Sequence, residues 1–147
     1  MISISVRQPW AELILEGKKT VEIRKSSTSY RGILVIHAAN IINKSEFKKA
    51  NIDPKSFKFE RKSLIGVVEL VDVIKLTDSL WEELRAKHLV PGKWLFEDQK
   101  YAWILENPRR IKPIDYTGLP RFFEIDEKAA NKILKELESI PVAHKNV

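Results

Sequence analysis

Within eight residues, GKKTVEIR at positions 17–24, the chain sets a lysine, a carboxylate and a guanidinium just after a glycine. An ammonium and a guanidinium can meet a phosphate or a base carbonyl, while a carboxylate can accept from an exocyclic amine. The three groups Lys19, Glu22 and Arg24 therefore suit a polar ring with one anionic edge. Their directions depend on the backbone. On a strand, successive side chains face opposite ways, so Thr20, Glu22 and Arg24 line one face and Val21 and Ile23 the other. Lys19 starts on the Val21 side, where its stem can bend around the strand end. A half-buried strand with a solvated Glu–Arg face would show the same alternation.

The elements around this segment must position it. Residues 2–6 alternate as a strand that halts at Pro9, and a short apolar-periodic run ends at Gly17. Pro is tolerated at a helix start and Gly is favoured just past its end, so these two bracket a short helix with Trp10, Leu13 and Ile14 inward. Residues 64–76 read as a long bent strand with Gly66 as a bulge or a point of close approach. Ser79 and Glu82 fit a capping box opening a helix through about residue 88. Residues 100–110 form another strand, a turn follows at Thr117 and Gly118, and Asp126 caps a final helix carrying Ala129, Ala130, Ile133, Leu134 and Leu137 at helical spacing. Trp10, Trp94 and Trp103 are assigned to core or rim packing.

A chain of 147 residues, 44% hydrophobic and 31% charged, reads as one globular domain. No apolar stretch approaches the roughly 18 residues of a membrane span, and the first residues lack the pattern of a secretory signal, so the cytoplasm is the expected address. Zero cysteines exclude disulfides and thiolate chemistry. His37, His88 and His144 have no paired spacing, so neither a metal site nor a cofactor is expected.

The net charge of +6 favours polyanionic partners. Residues 43–63 hold seven basic and three acidic side chains, with Phe47, Phe57 and Phe59 interleaved; Arg109 and Arg110 begin a second basic stretch. Lys44, Lys48, Lys49, Lys55, Lys58, Arg109 and Arg110 are candidates to track a nucleic-acid backbone. A solvated surface is the competing reading, and contact of the basic segment with an acidic protein is a third.

Four blocks in order carry a resemblance. The strand ending SVRQPW, the motif at 17–24, the run RGILVIHA at 31–38 and YAWILENPR at 101–109 together resemble the ASCH domain (activating-signal-cointegrator homology), a branch of the PUA-like proteins. The resemblance implies an α+β fold. It would be a mixed PUA-like β-barrel over about residues 1–125, with short covering helices and a C-terminal helix over about 126–140. It also implies association with RNA or modified nucleosides. A cleft is expected where the first helix meets the motif strand, with Gln8, Trp10, Lys19, Glu22 and Arg24 on its walls. His37, at the end of an apolar strand, is either a packed rim histidine or a further ligand contact.

Some small ASCH-like proteins are amidohydrolases that deacetylate N4-acetylcytidine with a lysine, a threonine nucleophile and a glutamate. Lys19 matches the lysine, but Glu22 stands where the threonine belongs, and Glu82 and Glu83 match the glutamate region only loosely. If the chain is an enzyme, Lys19 and Glu22 are the catalytic candidates, as lysine and general base. Ribonuclease chemistry, with Lys19 beside Tyr30 or Tyr101, is a further reading. The expectation taken forward is a module that binds RNA or a modified nucleoside, with hydrolysis as the alternative.

Overall fold

Two long antiparallel strands, β4 (Ser63–Lys75) and β5 (Tyr101–Asp115), form the spine of the computed structural model, which describes residues 1–93 and 100–139. Their register shifts three times, between Leu64 and Gly66, Val67 and Glu69, and Leu70 and Asp72. Such irregularities bend a strand and increase its twist. From Ser63 to Val68 β4 is buried without a break, because both of its faces are covered. That double cover explains why its sequence lacks clean alternation. Gly66 is a point of close approach, since a Cβ there would lie 2.6 Å from the Arg109 carbonyl and 2.7 Å from the Leu15 side chain.

The remaining strands are β1 (Ile2–Val6), β2 (Val21–Arg24), β3 (Gly32–Ala38) and β6 (Phe123–Glu124). They complete a six-stranded mixed sheet in the order β2-β5-β4-β3-β1-β6, in which only β1 and β3 pair in parallel. The sheet curls back on itself. Arg24 on β2 donates to the Ser5 carbonyl on β1 at 3.2 Å, although three strands separate the two in sheet order. No strand pairing joins β2 to β6 among the described residues, so the sheet stays open where a barrel would close.

Helix α1 (Trp10–Leu15) fills the concave side with Trp10, Leu13 and Ile14, against Ile4, Leu34, Ile36, Leu70, Trp103 and Leu105. α5 (Glu127–Ser139), capped by Asp126 accepting from the Ala129 amide at 2.8 Å, sets Ala129 and Ile133 against Val35, Leu64 and Val67. α2 (Lys44–Lys49) is a short basic helix capped by Asn43. The expected helix over 79–88 is two pieces, α3 (Asp78–Glu83) and α4 (Arg85–His88). Its cap is Thr77, which accepts from the Leu80 amide at 3.2 Å, in place of the expected Ser79 box. Arg85 explains the rest, because its guanidinium ties Glu82 to the Val90 and Gly92 carbonyls and uses up the carboxylate a box would need. Trp81 packs on Val21, Leu76 and Ala102. Trp94 lies outside the described residues.

Candidate functional site

α1 ends at Gly17, whose φ of +78° lies in the left-handed region that glycine adopts without strain. The amides of Lys18 and Lys19 both return to the Leu13 carbonyl, which wraps the chain tightly around the helix end. β2 begins only at Val21, so strand alternation does not govern Lys19. Its side chain lies with Glu22 and not on the Val21 side. It is 2% exposed, its Nζ donates to the His88 carbonyl at 2.5 Å, and it sits 3.7 Å from Glu22 Oε1 and 4.9 Å from the Trp10 ring centre. Lys18 faces outward and pairs with Glu16.

Glu22 occupies the middle of a charged row. Its other oxygen, Oε2, accepts from Arg24 Nη1 at 3.2 Å, and that guanidinium lies over Trp103, 6.0 Å from the ring centre. Trp103 is directly opposite Glu22 in the sheet. Lys19, Glu22 and Arg24, with Trp10, line a cavity of about 330 Å³ that also takes in Trp81, Lys100 and Pro120. Burial lowers the Lys19 ammonium from its ordinary range, against the opposing pull of the Glu22 carboxylate.

The opposite wall comes from α2. Trp10 donates its indole N–H to Glu46 Oε1 at 2.8 Å, and Lys49 pairs with Oε2 at 3.3 Å. Burial works to raise the Glu46 carboxyl, but Trp10, Lys49 and Arg7 together outweigh it and hold it below the usual carboxylate range. Sequence reasoning did not single out Glu46, Arg7, Trp81, Lys100 or Pro120. Glu46 alone left a signal, as the lone acid within the lysine-rich α2.

Four of the expected site residues, Trp10, Lys19, Glu22 and Arg24, therefore surround one cavity. Gln8 does not join them. It is fully buried, with Nε2 donating to the Glu60 carbonyl at 2.9 Å and Oε1 accepting the Glu12 amide at 3.0 Å. His37 lines a neighbouring cavity. Its Nε2–H donates to the Tyr116 carbonyl at 2.7 Å, which leaves Nδ1 to accept the Ser5 hydroxyl at 2.9 Å. Tyr30 donates to the Ile33 carbonyl, and Glu82 and Glu83 are exposed on α3, away from the cavity lining.

Lys44, Lys48, Lys49, Lys55 and Lys58 are exposed. The interleaved phenylalanines are not free platforms, because Phe47, Phe57 and Phe59 pack on one another with ring centres 5.2 to 6.2 Å apart. Arg110 forms a two-pronged pair with Glu12, and Arg109 Nε is buried with no partner among the described residues. Those residues hold no group of three or more acids and histidines placed to bind a metal ion, and no described helix is long and apolar enough to cross a membrane.

A curled mixed sheet with a short helix in its concavity and a buried Lys–Glu–Arg row beside its open seam defines a small α+β cleft domain. The chain belongs to the ASCH domain family, whose sequence model matches residues 4–115. It is similar to human activating signal cointegrator 1, with 26% identity over 136 residues that cover 85% of this chain and 22% of that protein. The chain thus spans about a fifth of that relative's length. Its fold matches the crystal structure of ASCH from Zymomonas mobilis with a TM-score of 0.67 at 18% identity, over 91% of this chain and 93% of the other. A mutant of the same Zymomonas mobilis protein matches with a TM-score of 0.66 at 18% identity, over 91% and 96%.

Proposed function

We propose that this cleft binds RNA or a modified nucleoside by taking one base against the Glu22 carboxylate. The observation that carries the reading is the placement of Glu22 between Lys19 and Arg24 on the wall of a cavity. The two cations fix the carboxylate before a ligand arrives, so little ordering remains to be done on binding. Glu22 would accept from an exocyclic amine and the Arg24 guanidinium would donate to a ring carbonyl. Trp10 and Trp81 supply apolar walls. A volume of about 330 Å³ stands at the lower end of small-ligand pockets, which fits a single nucleoside. The ASCH family is PUA-like and associated with RNA binding, and we read the curled sheet as a PUA-like barrel left open beside the cleft.

Hydrolysis is the second reading, favoured by the lowered Lys19 ammonium beside a carboxylate in a cavity. A hydroxyl nucleophile is poorly provided for. Ser5 is the sole hydroxyl among the described residues of the lining and is already bonded to His37, while Thr20 is absent from it.

Titration of the protein with cytidine and N4-acetylcytidine, with mass spectrometry of the mixture afterwards, tests both readings. Saturable binding without conversion is expected. Glu22→Gln should weaken it by about 1.5 to 3 kcal/mol, the worth of one hydrogen bond to a charged group, with the far-ultraviolet spectrum unchanged. Equal binding by both proteins would refute the role of Glu22. Wild-type turnover lost in Glu22→Gln would establish the hydrolase instead.

A further inference from the structure

Three adjoining cavities meet at Pro120. The cleft of about 330 Å³ shares Ser5, Arg7 and Pro120 with a second cavity of about 380 Å³, which reaches His37 and Lys62. It shares Ile23, Arg24 and Pro120 with a third of about 400 Å³, which reaches Lys25 and Arg121. The segment 117–121 thus borders a continuous depression that extends to both sides of the base site.

Charge along this depression is one-sided. The described residues of the three linings include seven cations (Arg7, Lys19, Arg24, Lys25, Lys62, Lys100 and Arg121) against two carboxylates, a formal +5. The whole chain carries +6. Both carboxylates, Glu22 and Glu46, are already neutralised by neighbours. Arg7, Lys62 and Arg121 are exposed, and none makes a direct side-chain hydrogen bond or ion pair among the described residues, although Arg7 acts on the Glu46 carboxyl at longer range. Exposed cations on both sides of a base-sized cavity match a chain of phosphates with one base turned inward.

The segment is tied down at its start. The Tyr116 amide donates to the Lys62 carbonyl at 3.0 Å, its carbonyl accepts from His37, and Gly118 lies so close to the His37 ring that a Cβ there would overlap it. Leu119, 59% exposed, and Pro120 are open to solvent beyond it.

We propose that the cleft reads one nucleotide within a longer single strand of RNA, whose flanking phosphates run past the 117–121 segment and contact Arg7 and Lys62 on one side and Arg121 on the other. This rests on the base-binding reading of the cleft. It moves the principal backbone contacts from Lys44, Lys48, Lys49, Lys55, Lys58, Arg109 and Arg110 to three residues from distant parts of the sequence.

The test compares an oligocytidylate of roughly nine nucleotides with free cytidine over a range of salt. For single strands each neutralised phosphate contributes about 0.7 to the log–log salt slope. Lys62→Gln and Arg121→Gln should therefore each flatten the oligonucleotide slope by about 0.7 while cytidine affinity stays unchanged, and Arg7→Gln, at a residue that also lines the cleft, should flatten it by about 0.7. Lys128→Gln with Lys132→Gln, a charge-matched pair on α5, should leave the slope alone. An equal loss in the α5 variant would overturn the proposal, as would tight binding of polyglutamate at the same salt. Cytidine binding with no rim dependence of the oligonucleotide sinks the track and leaves the base site standing. A rim-dependent oligonucleotide with no cytidine binding supports the phosphate contacts and sinks the base reading.

Discussion

Lys19 is the residue on which the cleft's charge balance turns. Burial lowers its ammonium from the ordinary value of 10.5, so the folded protein releases this proton at lower pH than the unfolded chain does. Between those two values the unfolded state binds more protons, and stability rises with pH. The contribution of Lys19 is least favourable below the window and recovers as pH approaches 10.5. Lys19→Met removes the titration at the cost of the bond to the His88 carbonyl. The stability difference between wild type and variant, measured by denaturant unfolding, should grow with pH on the alkaline side, and a flat difference would show that Lys19 titrates as freely as in the unfolded chain. Glu22 and Arg24 were legible in sequence because both lie on a strand whose alternation puts them on one face. Gln8 and His37 spend their polar atoms inside the fold, on the Glu60 and Tyr116 carbonyls 52 and 79 residues away, which for His37 fits the packed-rim alternative; no local pattern shows such distant partners. Arg7 and Lys62 border one cavity and Arg121 another on the far side of the cleft, a placement that no local pattern encodes.

At the scale of elements, the decisive contact is the one between α1 and the spine at Gly66. A methyl there would meet backbone on one side and Leu15 on the other, and the Arg109 carbonyl has little freedom to withdraw. Gly66→Ala should cost about 1 to 3 kcal/mol. Because α1 carries Trp10 on the cleft wall, cytidine affinity should fall along with the melting temperature. An unchanged melt would mean that the two strands separate readily at this point. β1, β4, most of β5 and α5 were readable from apolar period and caps, whereas β6 and the part of β5 beyond Arg110 were not. The α3–α4 break was not, since it depends on how Arg85 divides its donors among Glu82, Val90 and Gly92.

For the molecule as a whole, two buried histidines set the acid limit. Burial lowers both His37 and His88 from 6.5. Geometry agrees, because Nδ1 of His88 accepts the Val90 amide and its Nε2–H donates to the Trp81 carbonyl, leaving no acceptor for a second proton. The contribution of the two rings is therefore complete above 6.5 and is lost as pH falls from there toward the lower folded values, by at most about 1.4 kcal/mol per pH unit for each ring. Melting temperatures taken from about pH 7 down to pH 5 should decline, and His37→Gln should remove part of the slope. A level profile would place both rings among groups that protonate without penalty. The order of strands also bears on time. β1 lies between β3 and β6, and its register pairs Ile2 with Glu124. Within this domain β1, the first of its strands to be made, must therefore wait for almost the whole described chain before its second edge is covered. Closing so long a loop costs entropy before any contact repays it, which puts folding in the slow, milliseconds-to-seconds class of sheet topologies and leaves β1 with a bare edge while synthesis continues.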